Sequence, residues 1–157
     1  MLDDVDKKII NELVDDGRAS VETVAERIGL SPTPTRRRIR RLEDDGIVRG
    51  YHAAIDPGKC ELDLALYVFI KLQSRNRKSI GEFEARIRNL PEVQRCDLIT
   101  GPHDYILTIR LASMTDYNVY LRDVLAELPG VFGIETSVVI GHVKDTPHLP
   151  LNLRIRG

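Results

Sequence analysis

Residues 36–41 of this 157-residue chain place five arginines in six positions, interrupted by Ile39 alone. An arginine guanidinium can donate two hydrogen bonds to one guanine edge, or it can pair with a phosphate. The formal net charge of the whole chain is -1, so no bulk attraction to nucleic acid is expected, and the positive charge is concentrated in this stretch. The pattern therefore favours a positioned contact with DNA over a nonspecific basic tail.

Three short amphipathic helices are predicted to position the arginines. The first follows the apolar spacing of residues 5–13, and the second begins after Ser20 as N-cap and ends at Gly29. The third begins after Ser31 as N-cap and ends at Gly46. The short, glycine-containing connection between the second and third helices predicts a helix-turn-helix. The spacing alone is also compatible with an αα-hairpin that has no role in DNA binding.

The third helix separates an inner face from an arginine face. At about 100° per residue, Thr35, Ile39 and Leu42 point to the core, and most of the arginines point outward. A recognition helix presents its N-terminal residues to base edges, so base readout is expected from the first turns and phosphate contacts from Arg40 and Arg41. The predicted DNA-contacting residues are Ser31, Thr33, Thr35, Arg36, Arg37, Arg40 and Arg41. A solvated, ion-paired surface is the alternative, but acids at the i±4 positions are few.

The hydrophobic pattern changes after Gly46. Residues 47–55 are β-prone and are closed by the turn sequence Asp56-Pro57-Gly58. This segment is predicted to be a wing or a linker strand between two domains. The predicted division is a helix-turn-helix domain at 1–46, a strand or linker at 47–63, and a second domain at 64–157.

The second domain is predicted to have the order βαββαβ. The strands are expected at residues 65–73, 93–100, 105–111 and 132–143, and the helices at 80–90 and 117–128. The repeated Leu90-Pro91-x-Val93 and Leu128-Pro129-x-Val131 each close a helix and open a strand. The prediction is an α+β protein whose second domain is a ferredoxin-like sheet with both helices on one face. A second copy would cover the other face, which predicts a homodimer.

Across both domains, the motifs resemble the Lrp/AsnC family of leucine-responsive, "feast or famine" transcription regulators. The matching residues are Leu2-Asp3, Asp6, Ile9, Asp16-Gly17-Arg18, Ser20, residues 30–34 (LSPTP), Arg38-Ile39, Arg41-Leu42-Glu43, Gly46 and Gly50-Tyr51, then Leu90-Pro91, Val93, Gly101, Asp104-Tyr105 and residues 128–131 (LPGV). The second set resembles the family's amino-acid-metabolism regulation domain. The resemblance implies a sequence-specific, DNA-binding homodimer that assembles to a tetramer or octamer, with an amino-acid effector bound between dimers.

The resemblance also assigns the effector site. The residues are Leu98, Thr100, Gly101, His103, Asp104, Tyr105, Thr136, Ser137 and Val139. A glycine-containing turn can offer backbone N–H groups to a carboxylate. Asp104 would receive the effector's ammonium, directly or by placing a neighbour; the alternative is that Asp104 only caps the turn. His103 would tune specificity or pH response, or would be a loop histidine without a role.

Other functional classes find little support in the sequence. No Gly-rich phosphate loop, metal-spaced histidine pair or nucleophile motif is present, so no catalysis, no metal and no cofactor other than the amino-acid effector are expected. Cys60 and Cys96 match no zinc or redox spacing and are expected to be reduced, partly buried thiols. With no signal-peptide pattern and no apolar run near 20 residues, a cytoplasmic, nucleoid-associated protein with no membrane contact is expected. An architectural DNA-binding protein without an effector remains the main alternative.

Overall fold

A computed structural model describes residues 2–151 of the chain. The described chain forms two compact units, one from residues 2–54 together with 144–151 and the other from residues 55–143. Each unit has its own hydrophobic core. The predicted division had kept the segment after residue 143 with the second domain. In the structure this segment groups with the N-terminal helices, and Pro147 and Leu149 line a groove with residues of the first helix.

The N-terminal unit contains the three predicted helices. They are α1 (Asp4–Asp15), α2 (Val21–Ile28) and α3 (Pro32–Asp44). The Ser20 side chain accepts a hydrogen bond from the Thr23 backbone N–H and caps α2. Gly29 follows α2 with φ of 72°, a left-handed conformation that glycine adopts without steric cost. These caps confirm the helix-turn-helix and fix where α3 begins.

The core of this unit is small and is formed by all three helices. Ile9 on α1, Val24 on α2 and Leu42 on α3 are each 0% exposed. Thr35 and Ile39 lie on the same inner side of α3 as Leu42, as the helical spacing predicted. Burial of one side of α3 leaves the side that carries most of the arginines in solvent.

The β-strand predicted within residues 47–55 does not form in the described chain. The backbone N–H groups of Ile47 and Val48 both donate to the Leu42 carbonyl at 2.9 Å and complete the end of α3. Gly46, with φ of +68°, makes that reversal possible. Residues 51–55 are exposed, and a β-prone sequence forms a strand only where another strand pairs with it.

The second unit has the predicted βαββαβ order. Its elements are β1 (Leu64–Leu72), α4 (Arg77–Ile87), β2 (Val93–Leu98), β3 (Tyr105–Leu111), α5 (Met114–Tyr120) and β4 (Val131–Val138), with a 3-10 turn at Gly58–Cys60 and a π-helical turn at Leu121–Leu125. The sheet order is β2-β3-β1-β4, and every neighbouring pair is antiparallel. The ferredoxin-like arrangement is thereby confirmed. β4 is shorter than predicted, and Ile140 and Val143 beyond it are fully exposed.

The two faces of the sheet differ. On one face Leu66, Val68 and Ile70 of β1 are 0% exposed and share a core with residues of β3, α4 and α5. On the other face, Tyr67 and Phe69 are exposed or half-buried. We call this second surface the helix-free face. Among residues 2–151, no helix is long and apolar enough to cross a membrane.

Candidate functional site

The outer surface of α3 is the candidate DNA interface. Thr33, Arg36, Arg37 and Arg40 line a shallow depression on it. Arg37 and Arg40 also border a neighbouring depression with Arg38, Arg41, Asp44 and Asp45. The Ser31 side chain forms no cap hydrogen bond within the described chain and is exposed at the start of the helix. The first turns of α3 therefore present hydroxyl and guanidinium groups together, as base and phosphate contacts require.

Three of these arginines are held by carboxylates from other helices. Arg36 pairs with Glu22 of α2 at 2.8 Å, and Arg41 pairs with Asp6 of α1 at 2.6 Å. Arg38 contacts Asp6 at 2.8 Å and Asp3 at 2.6 Å. The i±4 pattern had not revealed these pairs, because the partners lie 14 to 35 residues away along the chain.

Arg37 and Arg40 differ from the other three. Within the described residues, neither has a carboxylate oxygen within 4.0 Å. Both are exposed. Their charges are therefore the least compensated on α3 and are the most available to a phosphate or a guanine edge.

Thr35 does not fit the predicted role in base readout. Its side chain is 0% exposed, and its hydroxyl donates to the Ser31 carbonyl at 3.0 Å. The helical spacing had already placed it on the inner side of α3. The structure therefore leaves Ser31, Thr33, Arg36 and Arg37 as the exposed residues of the predicted set in the first turns.

The residues predicted for the effector site do not all come together within one chain: His103 reaches Glu135 on β4, but Leu98 lies far from that strand. Leu98 and Tyr105 face each other across β2 and β3, whereas Thr136 and Ser137 lie on β4. β2 and β4 are the two opposite edges of the sheet. Three strand spacings of about 4.8 Å separate these edges by about 14 Å. Val139, just beyond β4, donates its backbone N–H to Ala65 of β1.

The side chains also divide between the two faces of the sheet. The Tyr105 hydroxyl donates to Glu84 of α4 at 3.0 Å, and burial together with this hydrogen bond raises the pKa of Tyr105 to about 12. The Thr136 hydroxyl is hydrogen-bonded to that of Tyr117 on α5. Ser137 is exposed and lies next to Thr136 in the alternating strand, so its side chain points to the helix-free face.

Asp104 is buried and both of its carboxylate oxygens are occupied. Oδ2 accepts the backbone N–H of Leu72 at 2.8 Å, and Oδ1 lies 2.6 Å from Nε of Arg75. Its backbone carbonyl accepts the N–H of Ile99 at 2.9 Å, which closes the turn. These contacts tie the turn to the end of β1. Gly101 within the turn is exposed, with φ of +124°.

His103 lies on the helix-free face. Its ring centroid is 5.2 Å from that of Phe69, and its Nε2 lies 3.1 Å from a carboxylate oxygen of Glu135 on β4. The side chain is about one quarter exposed. His103 is therefore packed against Phe69 and lies beside the Glu135 carboxylate instead of projecting freely from the loop.

The remaining reactive groups of the described chain give no metal centre. Residues 2–151 contain no group of three or more His, Cys, Asp or Glu side chains placed to hold a metal ion.

Cys60 is exposed, contrary to the expectation of partial burial, and Cys96 is half-buried. Burial raises the pKa of the Cys96 thiol to about 11, so this thiol is protonated at neutral pH.

Comparisons with known proteins agree with both units. Residues 2–49 match the family model of a winged helix-turn-helix DNA-binding domain, and residues 65–149 match that of the Lrp/AsnC ligand binding domain. The leucine-responsive regulatory proteins of Salmonella typhimurium and Escherichia coli K12 are 39% and 38% identical over 153 residues, covering 98% of this chain and 93% of theirs.

Solved structures extend the likeness to the whole fold. A transcriptional regulator from Neisseria meningitidis, solved as a complex with L-Met, has a TM-score of 0.93 and 35% identity, covering 97% of this chain and 98% of that one. An AsnC family regulator from Agrobacterium tumefaciens has a TM-score of 0.91 and 28% identity, covering 96% and 98%. A helix-turn-helix with exposed arginines joined to a ligand-binding sheet defines a DNA-binding transcription regulator. The chain belongs to the Lrp/AsnC family.

Proposed function

We propose that this regulator binds an amino acid between two chains, and that the bound amino acid changes how the chains assemble and bind DNA. The observation that carries the proposal is the separation of Leu98 on β2 from Thr136 and Ser137 on β4, at opposite edges of one sheet. An amino acid is too short to bridge about 14 Å. One ligand contacts both groups only if the β2 edge of one chain lies near the β4 edge of another.

The turn at residues 101–104, which joins β2 to β3, supplies ligand contacts next to Leu98 of β2. Gly101 leaves its backbone uncovered, and exposed backbone N–H groups in such a turn bind a carboxylate. Asp104 acts by placing its neighbours, because its carboxylate is buried as well as held by Leu72 and Arg75. Recognition of the ammonium then falls to groups of the second chain, near Ser137.

The helix-free face supports assembly as a homodimer. Tyr67, Phe69 and Ile106 lie side by side on β1 and β3, and none of the three is buried in the single chain. Covering this face with a second copy removes apolar surface from water. Two-fold symmetry also supplies two copies of α3 for a pseudo-palindromic DNA site. Further assembly of dimers to a tetramer or octamer would bring the sheet edges of different dimers together.

On DNA, the exposed surface of α3 is assigned to the major groove. Thr33 and Arg37 lie in its first turns and are proposed to read bases, and Arg40 is proposed to hold a phosphate. Arg36 and Arg41 contribute when their guanidinium groups contact DNA in addition to Glu22 and Asp6. We propose no catalytic step for this protein, and we propose that it associates with the nucleoid.

The first amino acids to test are L-methionine and L-leucine. The Neisseria regulator was solved with L-Met, and the relatives from Salmonella and Escherichia are named leucine-responsive. Thermal unfolding of the purified protein against each of the twenty amino acids identifies the effector. A ligand at about 100 times its dissociation constant adds roughly 2.7 kcal/mol of stability.

Mixed oligomers test whether the site is shared between chains. Gly101→Val removes the turn, Ser137→Phe blocks the β4 edge, and each variant alone is expected to lose binding. Unfolding and refolding the two together creates some sites with an intact turn and an intact edge, so binding should return in the mixture. A lack of return, with both variants folded by circular dichroism, would show that the site lies within one chain. No shift with any amino acid would favour the architectural alternative.

A further inference from the structure

A cleft on the helix side of the sheet has the composition of a small-ligand site. It lies between α4 and the hairpin strands β2 and β3 and has a volume of about 320 Å³. It is lined by Glu84, Ile87, Arg88, Cys96, Leu98 and Tyr105. This volume is at the lower end of the range of small-molecule pockets. We call it the α4 cleft.

The α4 cleft is lined by one carboxylate, of Glu84, and one guanidinium group, of Arg88. Glu84 and Arg88 are one helical turn apart and lie 3.1 Å from each other. The Tyr105 hydroxyl donates to the other oxygen of Glu84 at 3.0 Å and fixes that carboxylate at the cleft wall. The Arg88 side chain is 71% exposed, so most of its N–H donors remain available to an incoming carboxylate.

The rest of the lining is apolar. Leu98 is 68% exposed, a large fraction for an aliphatic side chain at the mouth of a cleft. Ile87 is buried at its base. The half-buried Cys96 thiol adds a neutral surface, since burial keeps it protonated. An aliphatic group placed here would cover Leu98 and remove apolar surface from water.

From this arrangement we infer that the α4 cleft is a second amino-acid-binding site, contained within a single chain, for zwitterions with an aliphatic side chain. Glu84 pairs with the ammonium, Arg88 forks onto the carboxylate, and Ile87 and Leu98 contact the side chain. The inference shares its ligand class with the proposed function, and Leu98 and Tyr105, which line the cleft, were also predicted for the effector site. This site does not depend on contact between chains, whereas the site at the Gly101 turn does.

Calorimetric titration with L-methionine and L-leucine tests the inference on the full-length chain. Two classes of site per chain are expected for the unaltered protein. Glu84→Gln and Arg88→Met should each weaken one class at least tenfold. Glu82→Gln and Arg86→Met, exposed positions on α4 that do not line the cleft, are the matched controls and should retain both classes. Methioninamide and N-acetylmethionine each lack one charge and should bind the cleft at least tenfold more weakly.

The Gly101→Val background separates this inference from the proposed function. Binding that persists with Gly101→Val and disappears when Glu84→Gln and Arg88→Met are added supports the α4 cleft. If Gly101→Val abolishes all binding, the cleft inference is overturned and the site at the turn remains. If Glu84→Gln and Arg88→Met bind like the Glu82 and Arg86 controls, the cleft inference is also overturned. Absence of binding of either amino acid to the unaltered chain overturns it as well.

Discussion

The carboxylate of Asp6 on α1 lies 2.8 Å from a guanidinium nitrogen of Arg38 on α3, and it is almost wholly buried. Its second oxygen lies 2.6 Å from Arg41 and also accepts the backbone N–H of Asp3 at 3.1 Å. Asp3 in turn accepts the backbone N–H of Asp6 and completes a capping box at the start of α1. One carboxylate therefore fixes both the beginning of α1 and the middle of the arginine helix.

Removal of this carboxylate should destabilise the N-terminal unit. Asp6→Ala loses the cap contact and two charge-assisted hydrogen bonds, and a loss of about 2 kcal/mol in the free energy of unfolding is expected because both arginines remain partly solvated. Asp4→Ala is the control, since the Asp4 side chain is 92% exposed, and should change stability by less than about 0.5 kcal/mol. Urea unfolding measures both; equal effects would contradict the role assigned to Asp6.

Stability should fall in acid partly because of Asp3. The backbone N–H of Asp6, and then Arg38, hold the pKa of Asp3 below the ordinary value of an aspartate carboxyl. A carboxyl with a lowered folded-state pKa stabilises the fold above the unfolded pKa, and this contribution disappears as the pH falls through the folded pKa. Asp3→Asn should therefore make the stability curve flatter below about pH 4. Denaturant unfolding at several pH values checks this, and an unchanged slope would argue against it.

Thr35 and Thr33 should separate stability from DNA recognition. Thr35→Val removes the hydroxyl that donates to the Ser31 carbonyl and leaves that carbonyl only the longer contact with the Thr35 backbone N–H at 3.4 Å, for a cost of about 1 kcal/mol. It should not alter the ranking of DNA sites. Thr33→Val, at an exposed position, should leave stability within about 0.5 kcal/mol and change that ranking. The reverse result, measured by unfolding and by competition between DNA sites, would put Thr35 back in the base-reading set.

The salt dependence of DNA binding should report which arginines are neutralised within the protein. Arg40→Ala should reduce the slope of log K against log salt by about 0.9, the value for one phosphate contact. Glu22→Gln releases Arg36 from its ion pair and should tighten binding and steepen the slope. Fluorescence anisotropy between about 50 and 200 mM salt measures both changes. A flat dependence for the unaltered protein would rule out α3 as an arginine-based contact.

The two cysteines should react at very different rates. Burial raises the pKa of Cys96 to about 11, so at pH 8 only about one thiol in a thousand is the reactive thiolate. Cys60 is exposed and should be modified first by a disulfide reagent. Cys60→Ser isolates the slow reaction, and Cys96→Ser isolates the fast one. Comparable rates in these two variants would mean that the Cys96 environment is more open than its burial indicates.

Local sequence patterns were sufficient to predict the order of the helices and strands and the presence of the helix-turn-helix. Ser20 and Gly29 act through atoms a few residues away, so their cap positions follow from residue type and spacing. The repeated Leu-Pro motifs, which close a helix and open a strand, were similarly local. The same rules placed Thr35 on the inner side of α3, and its inclusion among the base-reading residues was the error.

Contacts between distant residues were decided by tertiary structure. Three sets of contacts join positions that no helical or strand periodicity relates. They are the ion pairs of Asp3 and Asp6 with Arg38, the contact of Asp104 with Arg75, and the grouping of residues 144–151 with the N-terminal unit. The 47–55 segment shows the same limit, because a strand needs a partner that its own sequence does not specify. Apart from that segment, the sequence by itself determined which helices and strands form and which family they define. The separation of β2 from β4 exists only in the folded sheet, because strand order is set by how the chain packs against itself.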